Sequence, residues 1–214
     1  MIKKLEMKEN TSAGKLITFC GLDGCGKSTM IAHLAEDLGS RGHRIFITKQ
    51  PTDSVRNSKI FRTYTDNPNH DEYDYRSLSL LCASDRVQHV NKVIIPALNA
   101  GYTVFCDRYY YSCLANLIAR GFTDDEWIYE ISRCVVKPDA AFFFDVPVDE
   151  AVRRVRERPK ERDRYIDMQM QHALRKAYID ICNANGGALV KTDTSVIASY
   201  KKVKETVERI FDNE

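Results

Sequence analysis

Short apolar, β-branched runs alternate with longer stretches of helical character along this chain. The runs fall at residues 16–20, 44–48, 102–106, 140–145 and 188–191. Strands spaced in this way by helices predict a parallel sheet and an α/β fold. Ala141, Phe142, Phe143 and Phe144 make an unbroken apolar run, which suits a strand covered on both faces. The expected architecture has three layers, a five-stranded parallel sheet flanked by helices. A polar stop at residues 39–42 ends the first helical stretch. Thr123 and Glu126 have the spacing of a capping box, and Thr194 or Ser195 is placed to cap the last amphipathic segment. Residues 1–14 are polar and lysine-rich and read as a flexible tail. No Pro/Gly/Ser-rich linker divides residues 15–214, which read as one domain, in line with a length of 214 residues.

Composition narrows the functional classes. Apolar residues make up 43% and charged residues 29%, as in an ordinary globular protein. Thirty-two Lys and Arg against 30 Asp and Glu leave a net charge of +2, too small for a protein that lives on nucleic-acid polymers. The absence of a long apolar stretch and of an apolar leader points away from the membrane and toward the cytoplasm. The seven cysteines are scattered without a C-x-x-C pair, so reduced thiols are expected rather than a disulfide framework or a zinc site.

Gly21, Leu22, Asp23, Gly24, Cys25, Gly26, Lys27 and Ser28 match G-x-x-x-x-G-K-[ST], with an apolar strand before them and a helix beginning near Thr29. Such a loop needs both flanks, because its backbone N–H groups and the helix N-terminus must face phosphate together. Lys27 would neutralise the β- and γ-phosphates of ATP, and Ser28 would ligate Mg²⁺. Asp107 follows the apolar run 102–106 and has the layout of a carboxylate that holds the Mg²⁺ ion. Residues 153–164 carry seven Lys or Arg against three Asp or Glu, interrupted by Pro159. An arginine-rich, broken segment near 153–165 fits a lid that closes over a phosphoryl-transfer site and excludes water.

Taken in order, GLDGCGKST, the TKQP segment at 48–51, LCASDRVQHVNKVIIPAL at 81–98, DRYYYSCLA at 107–115 and RERPKERDRY at 156–165 make the chain resemble the thymidylate kinase family of P-loop enzymes. That resemblance implies transfer of the ATP γ-phosphate to dTMP, in a homodimer. It implies that Asp23 hydrogen-bonds the sugar 3′-OH, that Arg108 grips the acceptor phosphate, that Arg86 reaches the base edge and that Arg154 lies against adenine. Lys49, Pro51, Cys82, Tyr109, Ser112 and Asn116 fall at further acceptor-binding positions. The loop holds no arginine, so the resemblance is to the branch whose catalytic arginine sits in the lid; Arg158 and Arg162 are its expected transition-state groups, acting with Lys27 and Arg108.

The chain departs from the family pattern at three places. Lys49 and Gln50 stand for an Arg-Glu pair, Cys82 for an aromatic that stacks on thymine, and Asn116 for an aromatic that blocks a ribose 2′-OH. These changes make dUMP, UMP or CMP the alternative acceptors. A nucleotide-switched binding protein is the alternative of another class; it calls for [NT]-K-x-D and D-x-x-G motifs, and Thr48, Lys49, Gln50 and Pro51 lack the final Asp. The helix face over 78–95 suits either sheet packing or contact with a second copy.

Overall fold

Each expected run becomes a strand, shifted by a residue at most. In the computed structural model, which describes residues 2–193 and 195–212, the order is β1 (Leu16–Gly21), α1 (Lys27–Ser40), β2 (Ile45–Lys49), α2 (Asp53–Arg56), α3 (Lys59–Asp66) and α4 (Tyr75–His89). A π-helical turn at Val90–Ile94 leads into α5 (Ile95–Asn99), followed by β3 (Thr103–Asp107), α6 (Tyr111–Ala119), α7 (Trp127–Ser132) and β4 (Ala140–Asp145). The chain ends with α8 (Val148–Arg156), α9 (Met168–Asn185), β5 (Ala188–Lys191) and α10 (Val196–Asp212).

Among the described residues the five strands form one sheet in the order β2-β3-β1-β4-β5, parallel throughout. Two helix pairs, α1 with α10 and α6 with α9, pack on the strands as layers flanking the sheet. Phe142, Phe143 and Phe144 are all buried, because β4 is covered on both faces. Phe19 of β1 meets the Phe105 ring edge-on at 5.6 Å and stacks on Phe142 at 5.8 Å. Each such ring contributes about 1.5–3 kcal/mol by leaving water. The central strand β1 runs to the α1 side, while its neighbour β3 leads into α6, so a crevice opens beyond their carboxyl ends, where α/β sheets place ligands.

Residues 1–14, expected as a flexible tail, contain a packed segment instead. Leu5 and Met7 are buried, and Lys8 bridges to Val136. Leu5 and Met7 lie two apart with Glu6 between them and Lys4 and Lys8 on either side, the period of a short strand, which the lysine-rich composition obscured. The capping box also fails: the Thr123 hydroxyl turns to Asp124, and Glu126 is taken by Lys3 in a 2.7 Å ion pair. At α10 the Ser195 hydroxyl accepts from the Ala198 N–H at 3.2 Å, as a cap should; Thr194 lies outside the described residues. No helix among the described residues is long and apolar enough to cross a membrane.

Candidate active site

The loop from Gly21 to Ser28 links the end of β1 to the N-terminus of α1. Gly24 has φ +82°, and a Cβ there would lie 2.2 Å from the Ala151 carbonyl oxygen. Only glycine allows that approach. The Thr192 hydroxyl donates to the Cys25 carbonyl at 2.9 Å, tying the loop to the segment after β5. Lys27 is buried, and its Nζ donates to the carbonyls of Leu22 at 2.7 Å and Gly21 at 3.4 Å. The loop's own carbonyls thus hold the ammonium over the cradle. Ser28 and Thr29 are exposed at the first turn of α1.

Arg108 is the hub between loop and crevice. It follows β3 with φ +63°, a conformation non-glycine residues adopt rarely and one that aims a side chain at functional sites. Its Nη1 donates to the Gly21 carbonyl at 3.1 Å and to the Tyr178 hydroxyl at 3.0 Å, and its Nη2 to Asp23 at 2.5 Å. The other Asp23 oxygen accepts from Arg164 at 3.2 Å. Burial alone would raise the Asp23 carboxyl; the charges of Arg108, Lys27 and Arg164 outweigh it and hold the group far below the usual carboxylate range. Asp23 is therefore an acceptor at any physiological pH.

Asp107, at the end of β3, keeps its buried Oδ1 without a hydrogen-bond partner. Such a carboxylate oxygen beside the loop fits a hard divalent cation. The described residues offer no cluster of three or more acidic, His or Cys ligands; that fits Mg²⁺, which commonly takes one or two carboxylates and completes its shell with phosphate and water.

The crevice, about 840 Å³, is lined by Pro51, Cys82, Arg86, Ser112 and Asn116 together with Asp23 and Arg108. These are seven of the positions that the sequence marked for the acceptor. Arg86 is buried; its Nε donates to the Tyr109 carbonyl at 3.2 Å and its Nη1 to the Cys82 carbonyl at 3.0 Å. Asp85 does not pair with it but accepts from the Thr52 N–H at 2.8 Å, shaping the loop that follows the cis Gln50–Pro51 peptide. His89, buried, bonds Thr48 at 2.9 Å and Gln50 at 3.0 Å, which ties α4 to the end of β2.

Two expected acceptor residues point elsewhere. Lys49 is exposed and pairs with Asp53 at 3.4 Å. Side chains alternate along a strand, and Lys49 shares the outward face of the edge strand β2 with Ile47, which is 52% exposed. Tyr109 is fully buried, and its hydroxyl donates to the Val136 carbonyl at 2.6 Å; only its own carbonyl serves the site, by fixing Arg86.

The sequence reading also passed over two cations. Arg56, half-buried on α2, lines the crevice, its Nε donating to the Pro51 carbonyl at 2.7 Å. No motif marks it; its proximity to Arg86 and Arg108 exists only in the fold. Burial and the Arg108 charge lower its pKa, the mark of a cation set among cations. Arg164 is the second. The arginine-rich segment leaves α8 at Arg156, makes one 3₁₀ turn at Pro159–Glu161 and returns Arg164 to Asp23. Arg158 and Arg162 are exposed on it. Arg154 sits behind the loop, donating to Glu150 at 2.7 Å and to the Thr192 carbonyl at 2.9 Å.

Comparison with known proteins agrees with this geometry. The sequence profile described as thymidylate kinase matches residues 19–210, from the phosphate loop through α10. A probable thymidylate kinase of Pyrococcus abyssi is 33% identical over 203 residues, covering 94% of this chain and 97% of that protein. Another, from Pyrococcus horikoshii, is 39% identical over 160 residues, 73% of this chain and 78% of its own length. A bacterial thymidylate kinase, from Desulfotalea psychrophila, is 40% identical over 146 residues, 68% and 70% of the two chains. With the glycine-rich loop, the Asp23–Arg108 hub and the crevice assembled at one end of a β2-β3-β1-β4-β5 sheet, and with the profile spanning residues 19–210, the chain belongs to the thymidylate kinase family.

Proposed function

We propose that this chain transfers the γ-phosphate of Mg-ATP to dTMP, giving dTDP and ADP. The observation that carries the reading is the Asp23 carboxylate, held between Arg108 and Arg164 where the phosphate loop meets the crevice. Two anionic substrates meeting head-on need such a junction: cations for both phosphates and one fixed acceptor for a sugar hydroxyl.

The backbone N–H groups of the loop and Lys27 bind the β- and γ-phosphates of ATP, and Arg154 borders the nucleoside side. Ser28 and Asp107 would hold Mg²⁺, which supplies charge neutralisation on the β- and γ-oxygens when bound. Arg108 and Arg56 take the phosphate of the acceptor, Asp23 accepts from its 3′-OH, and Arg86 faces its base. Phosphoryl transfer through a loose transition state needs little covalent chemistry from the protein, so these groups act by position and charge. Arg164 is the lid arginine already at the junction; we assign to it the charge on the transferring group, ahead of Arg158 and Arg162. Its guanidinium and the folded-down lid also exclude water, which would otherwise divert ATP to hydrolysis.

The quaternary reading is a homodimer through the outer face of α4, where Leu80 is 45% and Leu81 37% exposed. Light scattering on the purified chain decides it: a single monomer mass at micromolar concentration rejects the dimer. The catalytic reading is tested by ADP release with Mg-ATP and dTMP, dUMP, UMP or CMP in turn. The highest kcat/KM is expected with dTMP, and the reading fails if dTMP is not turned over.

A further inference from the structure

Two walls of the crevice carry the same spacing. Helix α4 presents Ser79, Cys82 and Arg86, and α6 with its C-terminal cap presents Cys113, Asn116 and Arg120, each set at i, i+3 and i+7, the stripe of one helix face. Followed back along α4 from Arg86 through Cys82 and Ser79 to Tyr75, the wall reaches the end of the crevice away from Arg86, where the Tyr75 ring meets Tyr64 at 5.1 Å and Tyr64 meets His70 at 4.6 Å. There the Tyr75 ring stacks on Phe122 at 6.1 Å, and Arg120 lies 3.9 Å over Tyr75.

Most polar groups in this crevice are already committed. Asn116 donates to the Ser112 carbonyl at 2.9 Å and accepts from Arg120 at 3.0 Å. Arg86 spends two of its donors on backbone carbonyls. Two atoms at the far end differ. Ser79 is 2% exposed, and its hydroxyl has no hydrogen-bond partner. A serine within a helix ordinarily bonds back to a carbonyl or faces water; this one does neither. His70, whose ring packs on Tyr64 at 4.6 Å, likewise has its buried Nε2 unpartnered, and both residues line the same crevice. Buried polar atoms left unsatisfied are rare and costly in native proteins. A pair of them on one cavity end therefore points to a ligand that completes them.

We infer that Ser79 and His70 form the base-reading end of the acceptor site, hydrogen-bonding the heteroatom edge of a pyrimidine ring. The inference rests on the reading of the crevice as the acceptor site. A hydroxyl both donates and accepts, so Ser79 can match an imide N–H, and His70 Nε2–H can donate to the flanking carbonyl. This supplies polar recognition where Cys82 offers no aromatic face for stacking.

The test compares wild type with Ser79→Ala and His70→Phe, the latter keeping a ring against Tyr64. Thermal melts are run on each protein alone, with dTMP and with Mg-ATP, alongside calorimetric Kd values and kcat and KM. Removing a hydroxyl that bonds nothing should leave the free protein's Tm unchanged or raised. Each variant should bind dTMP about five- to tenfold more weakly, the scale of one hydrogen bond. The loss should appear in KM rather than kcat, with Mg-ATP binding unchanged and preference for dTMP over dCMP reduced. Wild-type dTMP affinity in both variants overturns the inference, and so does a Tm fall of several degrees, which assigns the two residues to structure. If wild type turns over another monophosphate instead of dTMP, the functional reading fails and the same comparison is made with that nucleotide. A wild type that phosphorylates none overturns both.

Discussion

Replacing Arg164 with alanine separates what the lid contributes to stability from what it contributes to catalysis. Arg164 Nη1 lies 3.2 Å from Asp23 Oδ2 and 3.2 Å from Glu161 Oε2, with the arginine side chain 31% exposed and that of Asp23 42% exposed. Partly exposed pairs of this kind are worth about 0.2–1 kcal/mol after screening and side-chain entropy are counted. Asp23 retains its bond to Arg108, and Glu161, with its side chain 37% exposed, turns to water, so no buried carboxylate is left unpaired. The expected stability loss is about 1 kcal/mol or less, a Tm drop of roughly 2–4 °C at most for a domain of this size. An arginine on the transferring group of P-loop enzymes is worth about 10³–10⁵ in kcat, or roughly 4–7 kcal/mol of barrier. The assay is ADP release at saturating Mg-ATP and dTMP, with a melt on the same sample. The expected result for Arg164→Ala is a kcat reduced at least about a hundredfold with the fold intact. Arg158→Ala and Arg162→Ala, changing exposed side chains, should do less. A kcat for Arg164→Ala within threefold of wild type refutes the assignment, and a hundredfold loss in Arg158→Ala or Arg162→Ala moves the role to that residue.

Arg56→Ala should raise the KM for dTMP about tenfold or more, the scale of a charge-assisted hydrogen bond, while Lys49→Ala leaves it within twofold; equal effects would return Lys49 to the site. Gly24→Ala should abolish ATP binding and lower Tm, since the left-handed φ alone costs about 1–2 kcal/mol and the new Cβ meets the Ala151 carbonyl; an active, fully stable variant refutes the cradle geometry. Burial lowers the pKa of His89 below its usual 6.5, so between that value and the folded pKa the unfolded chain takes up a proton the folded one refuses. Stability should therefore be fully present above 6.5 and fall as the pH drops below it; His89→Gln should flatten that slope in urea titrations, and an unchanged slope assigns it elsewhere.

The strands, the layer architecture and the phosphate cradle were legible along the chain because each depends on neighbours in sequence. The 140–145 run is apolar throughout since both faces of β4 are buried, and G-x-x-x-x-G-K-S works through backbone N–H groups a few residues apart. The helix ends were less legible: Glu126 left its expected cap for Lys3, a partner 123 residues away. Leu5 and Met7 likewise found a core that their polar surroundings concealed.

By itself, then, the sequence determined the fold class and the phosphate-loop motif, and it singled out Asp23, Arg86 and Arg108, which the fold brings to one crevice. Tertiary structure alone decided which cations converge. Lys49 turned outward by strand alternation, Arg56 came inward from a helix of only four residues, and Arg164 was carried back to Asp23 by the segment that follows α8. It also decided that Ser79 and His70 end in one crevice without partners. Local periodicity and motif spacing act over a turn or a strand; the field at a phosphate and the satisfaction of a buried polar atom are sums over residues that only folding brings together.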